Sequence, residues 1–538
     1  MNRLTTLQAA LAMTLALALA LLASTAQGQT QAQSKSFKWS NNTDTPTLDI
    51  HAQNNATANG VVAAFYESLV YYNSRNFKLE PVLAMRWQEL SPTQYRFTLR
   101  PNVKFSDGSA FSADDVVFSL QRALAKTSKF TVYTQGMDRV AKVDANTVDI
   151  FLKTPNPVLL NQLTELRIMS KAWAEKNNSV EPKDILTKDE TFAHRNAMGT
   201  GPFMLKEWQP DQKLVMLRNP TWWGWTAGAG NSNVNEIVFT PLRSDATRMA
   251  ALLSGELDFV LDPRVQDLAR LRSNEQFKVM DGVENRTHFY GMDQFRDELV
   301  GSNIKGKNPL KDIRVRRALY QAIDMETISR VTMRGNAQPT GALVAPMVAG
   351  WSEAVHKRLA LDVEAAKKLM ADAGYRDGFE VDFACPNDYR EEICNAVSAM
   401  WAKIGVRARL RTMPAVTYFP MLQRYEASIY MLSWGVPTFD TLYSAQSLLR
   451  SVVLGTGDGN YNVGRYKNDR MDYVIDRVKV EGDLQVRNRL LNEALQLSND
   501  TVSHIPLFNS IIPWAMKKNV EVIHRADNRI DWRFVRVN

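Results

Sequence analysis

Apolar and polar residues alternate strictly from Tyr95 to Arg100. Tyr95, Phe97 and Leu99 fall on one face, Arg96, Thr98 and Arg100 on the other. That period of two belongs to a half-buried strand. Asp107-Gly108 then predicts a tight turn, because Gly accepts the backbone angles a turn demands. Ser112, with Asp115 three residues on, makes a capping-box start. Val116, Val117, Leu120, Ala123 and Leu124 line one face of the ensuing helix.

Similar signals recur downstream. Asp245 is expected to cap ATRMAALLSG, which Gly255 ends before the strand-like LDFVL. Asp312 caps IRVRRALYQAI, with Val315, Ala318, Leu319, Ala322 and Ile323 on one face. Asp362 caps VEAAKKLMADAG, which stops at Gly374, in the position where Gly is preferred. Strand-like EVDFA and EASIYMLSW lie between helical stretches, so the pattern predicts an α/β fold with mixed sheets covered by helices. No internal repeat and no low-complexity linker is present past residue 36.

The first residues have the pattern of an export signal. Arg3 supplies a positive start, Leu11 to Ala23 are apolar apart from Thr14, and Ser24-Thr25-Ala26 offers small residues for cleavage. The run is short for a membrane span of about 20 residues. No Cys stands directly behind it at the cleavage position, so a lipid-anchored mature N-terminus is not expected. The expectation is a cleaved signal peptide over residues 1–28 and a soluble mature protein in the periplasm, with a polar tail from Gln27 to Ser34.

Composition refines this picture. About 510 mature residues imply two or three domains at roughly 100–200 residues each. The formal charge of +8 loses Arg3 on cleavage and becomes +7. The basic residues are spread along the chain without an aromatic-interleaved stripe, so no nucleic-acid partner is expected. Cys385 and Cys394 are the two cysteines. An oxidising compartment favours a disulfide between them, with two free buried thiols as the alternative.

Catalytic and metal motifs are absent. GTGPF (199–203) and GTGDGN (455–460) lack the Gly-Lys-Ser/Thr of a phosphate loop and read as turns. Asp458 and Asn460 lack the remaining oxygens of a calcium loop. The six histidines form no HxxxH pair, so no metal site and no cofactor is expected. With no GxSxG, HExxH or SxxK set, a hydrolase is the minority reading.

The stretch YRFTLRPNVKFSDGSAFSADDVVFSLQRAL (95–124) closely resembles the signature of the family 5 solute-binding proteins, the peptide-, nickel- and oligosaccharide-binding components of ABC importers. Further blocks occur in the family's order. TPTLDIH (45–51) looks like its first strand and Asp-x-His turn, and YESLVYYN (66–73) like its first helix and the segment after it. GTGPFMLKEW (199–208) with RNPTWWG (218–224), NPLKDIRVRRALYQAIDMETI (308–328) and LDVEAAKKLMADAGYRDGFEVDF (361–383) are specific blocks. The resemblance implies a two-lobed periplasmic-binding-protein (Venus flytrap) fold with an additional domain. Residues 37–60, 196–285 and 506–538 would form a discontinuous first lobe, 61–195 the extra domain and 286–505 the second lobe.

It also implies a function and a site. The protein would capture a small ligand, a peptide first of all, and deliver it as a monomer to an inner-membrane ABC permease complex. An oligosaccharide or a metal chelate is the alternative. Ser433, Trp434 and Gly435, in YMLSWGVPTFD, match the strand whose backbone pairs with a bound peptide. Packing of Trp434 into the lobe interior is the competing reading. Peptide binders carry an amine-binding Asp three residues after the equivalent Trp. Here Pro437 stands in that place, and Asp440 is the nearest acid. Either Asp440 supplies the charge or the ligand has no free amine there. Asp44, Thr45 and, from the extra domain, Tyr133 match other ligand-lining positions.

Overall fold

A computed structural model describes residues 35–538 except 74, 76, 77, 135, 184–188 and 455. The expected signal peptide lies outside these residues. The strand alternation at Tyr95–Leu99 becomes the strand Gln94–Leu99, with Phe97 and Leu99 buried. The capping box at Ser112 and Asp115 opens the helix Ala113–Leu124. Gln94–Leu99 belongs to a four-stranded antiparallel sheet with Ala84–Ser91, Thr147–Leu152 and Met137–Asp144. That sheet and its helix enclose a core of their own around Phe97, Phe105, Leu120 and Ile150.

A second, 11-stranded sheet runs through the rest of the chain. Two long strands, Phe277–Met292 and His504–Lys517, lie side by side at its middle and pair antiparallel from Phe277 opposite Lys517 to Gly291 opposite His504. On one side they meet Phe259–Leu261, Ser36–Ser40, Glu236–Phe239 and the hairpin of Lys213–Arg218 with Phe203–Gln209. On the other they meet Ile429–Gly435, Phe379–Pro386 and Val406–Met413. Each half has its own core. Phe37, Phe239, Phe259, Trp514 and Trp532 fill one. Tyr290, Phe383, Trp401 and Leu319 fill the other. The result is a two-lobed α/β protein, with the four-stranded sheet as an additional layer.

Three local expectations need correction. Ser244, not Asp245, caps the helix Asp245–Leu253: its hydroxyl accepts from the Thr247 amide, and Asp245 occupies the first turn. TPTLDIH is not a strand. The first strand is Ser36–Ser40, and residues 45–51 form turns held by a buried ion pair. YESLVYYN contains no helix. The first helix, Ala56–Val62, precedes it, and Val70–Asn73 is a strand. Both segments were assigned by likeness to the family's blocks and not by a periodic pattern of their own.

The ion pair in the turn is Asp49 with Arg122. Arg122 Nη1 and Nη2 donate to Asp49 at 2.7 and 2.5 Å, and both side chains are wholly buried. Burial alone would raise the Asp49 carboxyl, but the Arg122 guanidinium holds it below the usual range. The pair pins the N-terminal turn to the helix of the four-stranded unit. Cys385, near the end of its strand, and Cys394, in the helix Arg390–Ala402, are joined by a disulfide.

Burial also sets a pH response. It pushes the pKa of His51 and that of His504 down to about 3; for His51, Arg122 adds to the effect. Both rings are neutral in the fold, whereas an unfolded His takes up a proton below about pH 6.5. Stability from these rings is therefore complete above that value and is lost as pH falls toward 3. Each should cost about 2 kcal/mol between pH 6.5 and 5. Urea unfolding at pH 7 and pH 5 should show a loss of at least about 4 kcal/mol, the share of these two rings, with the buried His288 adding to it. Equal stability at both values would show that the rings are not held neutral.

Candidate ligand-binding cleft

The long strands slip against each other where the lobes meet. Val283 faces Ile511 and Thr287 faces Asn509, so Glu284, Asn285 and Arg286 stand opposite Ser510 alone. Such a bulge bends a strand and re-aims its side chains. Asn285 ties three segments together. Its side-chain amide donates to Val436 O at 2.9 Å, its carbonyl accepts from Val436 N at 3.0 Å, and its own N–H donates to Ala526 O at 2.8 Å. Arg286 Nε donates to Glu284 at 2.8 Å, and its Nη1 lies 3.5 Å from Ser433 Oγ. Glu284 keeps the Arg286 guanidinium firmly charged.

The second lobe contributes a strand edge and an aromatic wall. Ile429–Gly435 pairs along its length with the first long strand, up to Arg286 opposite Gly435. On its other side Phe379–Pro386 pairs only at Ile429 and Tyr430. From Leu432 to Gly435 that edge has no partner strand among the described residues. Trp434 packs against Tyr461 and Tyr443, with ring centroids at 4.8 and 5.5 Å. Its indole N–H is buried without a hydrogen-bond partner. Tyr443 in turn lies parallel to Tyr133 of the additional layer at 6.4 Å, and burial pushes its hydroxyl up to about 12.

Tyr389 stands nearby, 54% exposed, with its hydroxyl 3.4 Å from His288 Nε2. His288 is buried, stacks on Phe508 at 4.5 Å and pairs with Ser510 Oγ at 2.9 Å. Burial, with Arg286 and Arg390 alongside, keeps its ring neutral.

The first lobe presents Asp262 at the end of Phe259–Leu261. Its backbone sits in the left-handed region, φ 51°, which Asp tolerates better than most residues. Both carboxylate oxygens accept from Asn528 Nδ2 at 2.9 Å, and Trp514 Nε1 fixes that amide at 2.8 Å. No cationic side chain among the described residues lies in ion-pair range. Burial, with Glu284 adding, raises the Asp262 carboxyl to about 6. Glu284, Glu165 and Asp440 all have arginine partners. Among the described residues, no group of three or more His, Cys, Asp or Glu is placed to hold a metal ion.

A two-lobed frame with such a cleft is shared with known binding proteins. Residues 78–453 match the bacterial extracellular solute-binding proteins, family 5 (middle part). The chain belongs to that family. The heme-binding protein A of Haemophilus influenzae is 26% identical over 473 residues, 83% of this chain and 82% of the relative. The dipeptide-binding protein of Escherichia coli K12 is 26% identical, covering 85% of each. In fold, the family 5 protein is similar to the solved periplasmic binding protein DppA of Helicobacter pylori in complex with the peptide STSA. The TM-score is 0.75 at 21% identity, covering 93% of this chain and 97% of that one.

The structure distributes the expected site residues of this family 5 protein unevenly. Ser433, Trp434, Gly435 and Tyr133 come together at the strand edge and its wall. Asp44 and Thr45 find partners within the first lobe. Asp44 accepts from Trp208 Nε1 and the Asp211 amide at 3.1 and 2.8 Å, and so clamps the outer hairpin of the first lobe. Thr45 is buried and donates to Thr47 O at 2.7 Å. Asp440 is also a correction. It is buried, caps the helix Thr441–Ser444 through the Leu442 amide and accepts from both Nη atoms of Arg487 at 2.5 and 2.8 Å. Its oxygens are spent inside the lobe.

Sequence reasoning missed Asp262, Arg286, Tyr389, Tyr443 and Tyr461. Asp262-Pro263 ends an apolar strand with a polar residue, and Arg286 lies in a polar run, Glu284 to His288, just before the apolar Phe289 and Tyr290. Both were visible signals. The tyrosines carry none.

Asp440→Asn should therefore act on stability. Removing one partner of a buried ion pair leaves Arg487 uncompensated and costs roughly 3–5 kcal/mol. Urea unfolding should report that loss, while discrimination between a charged and an acetylated ligand amine stays as in wild type. A variant of wild-type stability that has lost this discrimination would return Asp440 to the site.

Proposed function

We propose that this chain is the periplasmic binding component of an ABC importer and holds a small peptide between its lobes. The observation that carries the reading is the open edge at Ser433–Gly435 beside the wall of Trp434, Tyr443, Tyr461 and Tyr133. An extended peptide added to a strand edge gains main-chain hydrogen bonds whatever its side chains. Aromatic rings then supply contact area. Its relatives include a dipeptide-binding and a glutathione-binding protein, beside a heme-binding one. A sugar oligomer or a metal chelate is the second reading. The aromatic wall suits either one, but neither needs a free strand edge.

In this reading Asp262 takes the place first given to Asp440. It is a cleft carboxylate without a cationic partner, and a ligand ammonium is the group that would complete it. The protein acts by binding, not turnover, and works as a monomer without a cofactor. Its division is into a discontinuous first lobe (37–60, 196–285 and 506–538), an extra domain (61–195) and a second lobe (286–505). The mature chain starts after about residue 28, carries no lipid and leaves the cell on osmotic shock. Recovery of an uncut, membrane-bound product would refute that location.

Calorimetric titration with short peptides should show saturable one-to-one binding without hydrolysis. Trp434→Ala should weaken it by about 2–4 kcal/mol through lost hot-spot contact. Asp262→Asn should weaken binding of free-amine peptides and leave their acetylated forms nearly unaffected. Affinity for the free amine should fall as pH drops below about 6, where Asp262 takes up a proton. Equal losses for free and acetylated peptides would remove Asp262 from the amine's contacts. Hydrolysis of the peptides would favour a hydrolase.

A further inference from the structure

A separate pocket lies under the C-terminal segment 525–533, between the additional layer, the first lobe and the loop at Pro437 and Phe439. Its volume of about 80 Å3 has room for several waters, each needing roughly 10–15 Å3. Four arginines and four acids line it, and their pairing is uneven.

Arg525 is held by both oxygens of Asp527 at 2.8 and 2.5 Å. Arg533 is held by both oxygens of Asp531 at 2.8 Å. Arg529 is held by Glu165 at 2.9 and 3.0 Å. The fourth acid, Glu67, accepts from three neutral donors, Trp222 Nε1, Trp223 Nε1 and Thr200 Oγ1, at 2.9, 3.0 and 2.8 Å. Burial raises its carboxyl, which disfavours its charge.

Arg167 is left over. Among the described residues its guanidinium makes one hydrogen bond, from Nη1 to Tyr66 O at 3.4 Å, and no carboxylate lies within 4.0 Å of it. Burial lowers its guanidinium to about 10, so it remains charged at neutral pH. A half-buried guanidinium offers a planar fork of donors, the geometry that a carboxylate matches with two parallel hydrogen bonds. Phe439 reaches this pocket from the second lobe and stacks on Tyr72 at 4.5 Å, so an occupant would touch both sides of the cleft.

We propose that this pocket is an anion subsite in which Arg167 receives a carboxylate of the bound solute. The inference rests on reading the cleft as a ligand site, but not on the ligand being a peptide. It assigns the charge of one end of the cargo: anionic at Arg167.

Two pairs of probes test it on the mature protein. The first is one tetrapeptide with a free C-terminal carboxylate and the same peptide as the amide. The second is benzoate and benzamide, which carry the same contrast without a peptide bond. Wild type should bind the acid of each pair at least tenfold more tightly. Arg167→Gln should bind acid and amide equally, at the wild-type affinity for the amide, and Arg167→Lys should keep part of the preference. Circular dichroism of each variant confirms folding. If the benzoate pair is discriminated and neither peptide binds, the peptide reading falls and the anion subsite stands. If wild type shows no preference in the benzoate pair, or Arg167→Gln keeps it, the subsite is overturned.

Discussion

The whole molecule hangs on the pairing of two strands, Phe277–Met292 and His504–Lys517. Every strand of the large sheet is placed through them, on one side or the other. The ladder is regular within each lobe and slips only between Val283 and Thr287 and again at His288 and Phe289. Across the junction three residues, Glu284, Asn285 and Arg286, stand opposite Ser510 alone, and the slip re-aims their side chains where the lobes meet. It also gives Asn285 the freedom to bond both the loop after Gly435 and the C-terminal segment. The same irregularity therefore shapes the cleft wall and couples it to the backbone that would move on closure.

Charge compensation then decides which groups remain for a ligand. A buried charge is tolerated when a partner of opposite sign is hydrogen-bonded to it and is costly otherwise. Asp49 with Arg122, Asp440 with Arg487 and Glu165 with Arg529 all satisfy that rule. They hold elements in register and have nothing left to offer. Asp262 and Arg167 do not satisfy it. One is a carboxylate fixed by a neutral amide, the other a guanidinium with a single carbonyl. They line different pockets, so each is left to meet a group of opposite charge on its own.

Much of the fold was legible because it obeys local rules. The capping boxes, the stopping glycines and the alternating strands depend on a few neighbours, and the helices at Ser112, Asp312 and Asp362 fell where those rules put them. The partners of the candidate acids were not legible. Asp44, Thr45 and Asp440 came from the resemblance to the family, whereas what a side chain touches depends on residues far away in the chain. Arg487 lies 47 positions from Asp440 and Trp208 lies 164 from Asp44. Nothing near either acid in sequence announces those partners. Trp434 and Tyr133 were singled out by the resemblance to the family; that their rings would join one wall through Tyr443 was not legible in the sequence.

The distribution of cleft groups bears on how closure would work. A ligand shifts a two-state equilibrium only by binding one state more tightly than the other. Contacts confined to one lobe bind open and closed forms alike and shift nothing. Trp434, Tyr389 and the strand edge belong to the second lobe, Asp262 to the first, and Tyr133 and Arg167 to the additional layer. A solute that engages groups from all three gains most when they converge. Because water is excluded at the same time, each charged contact also strengthens on closure. In the proposed reading, specificity and closure therefore draw on the same few groups. A solute that met both Asp262 and Arg167 and then lost one of its charges would lose affinity and also part of its power to hold the lobes together.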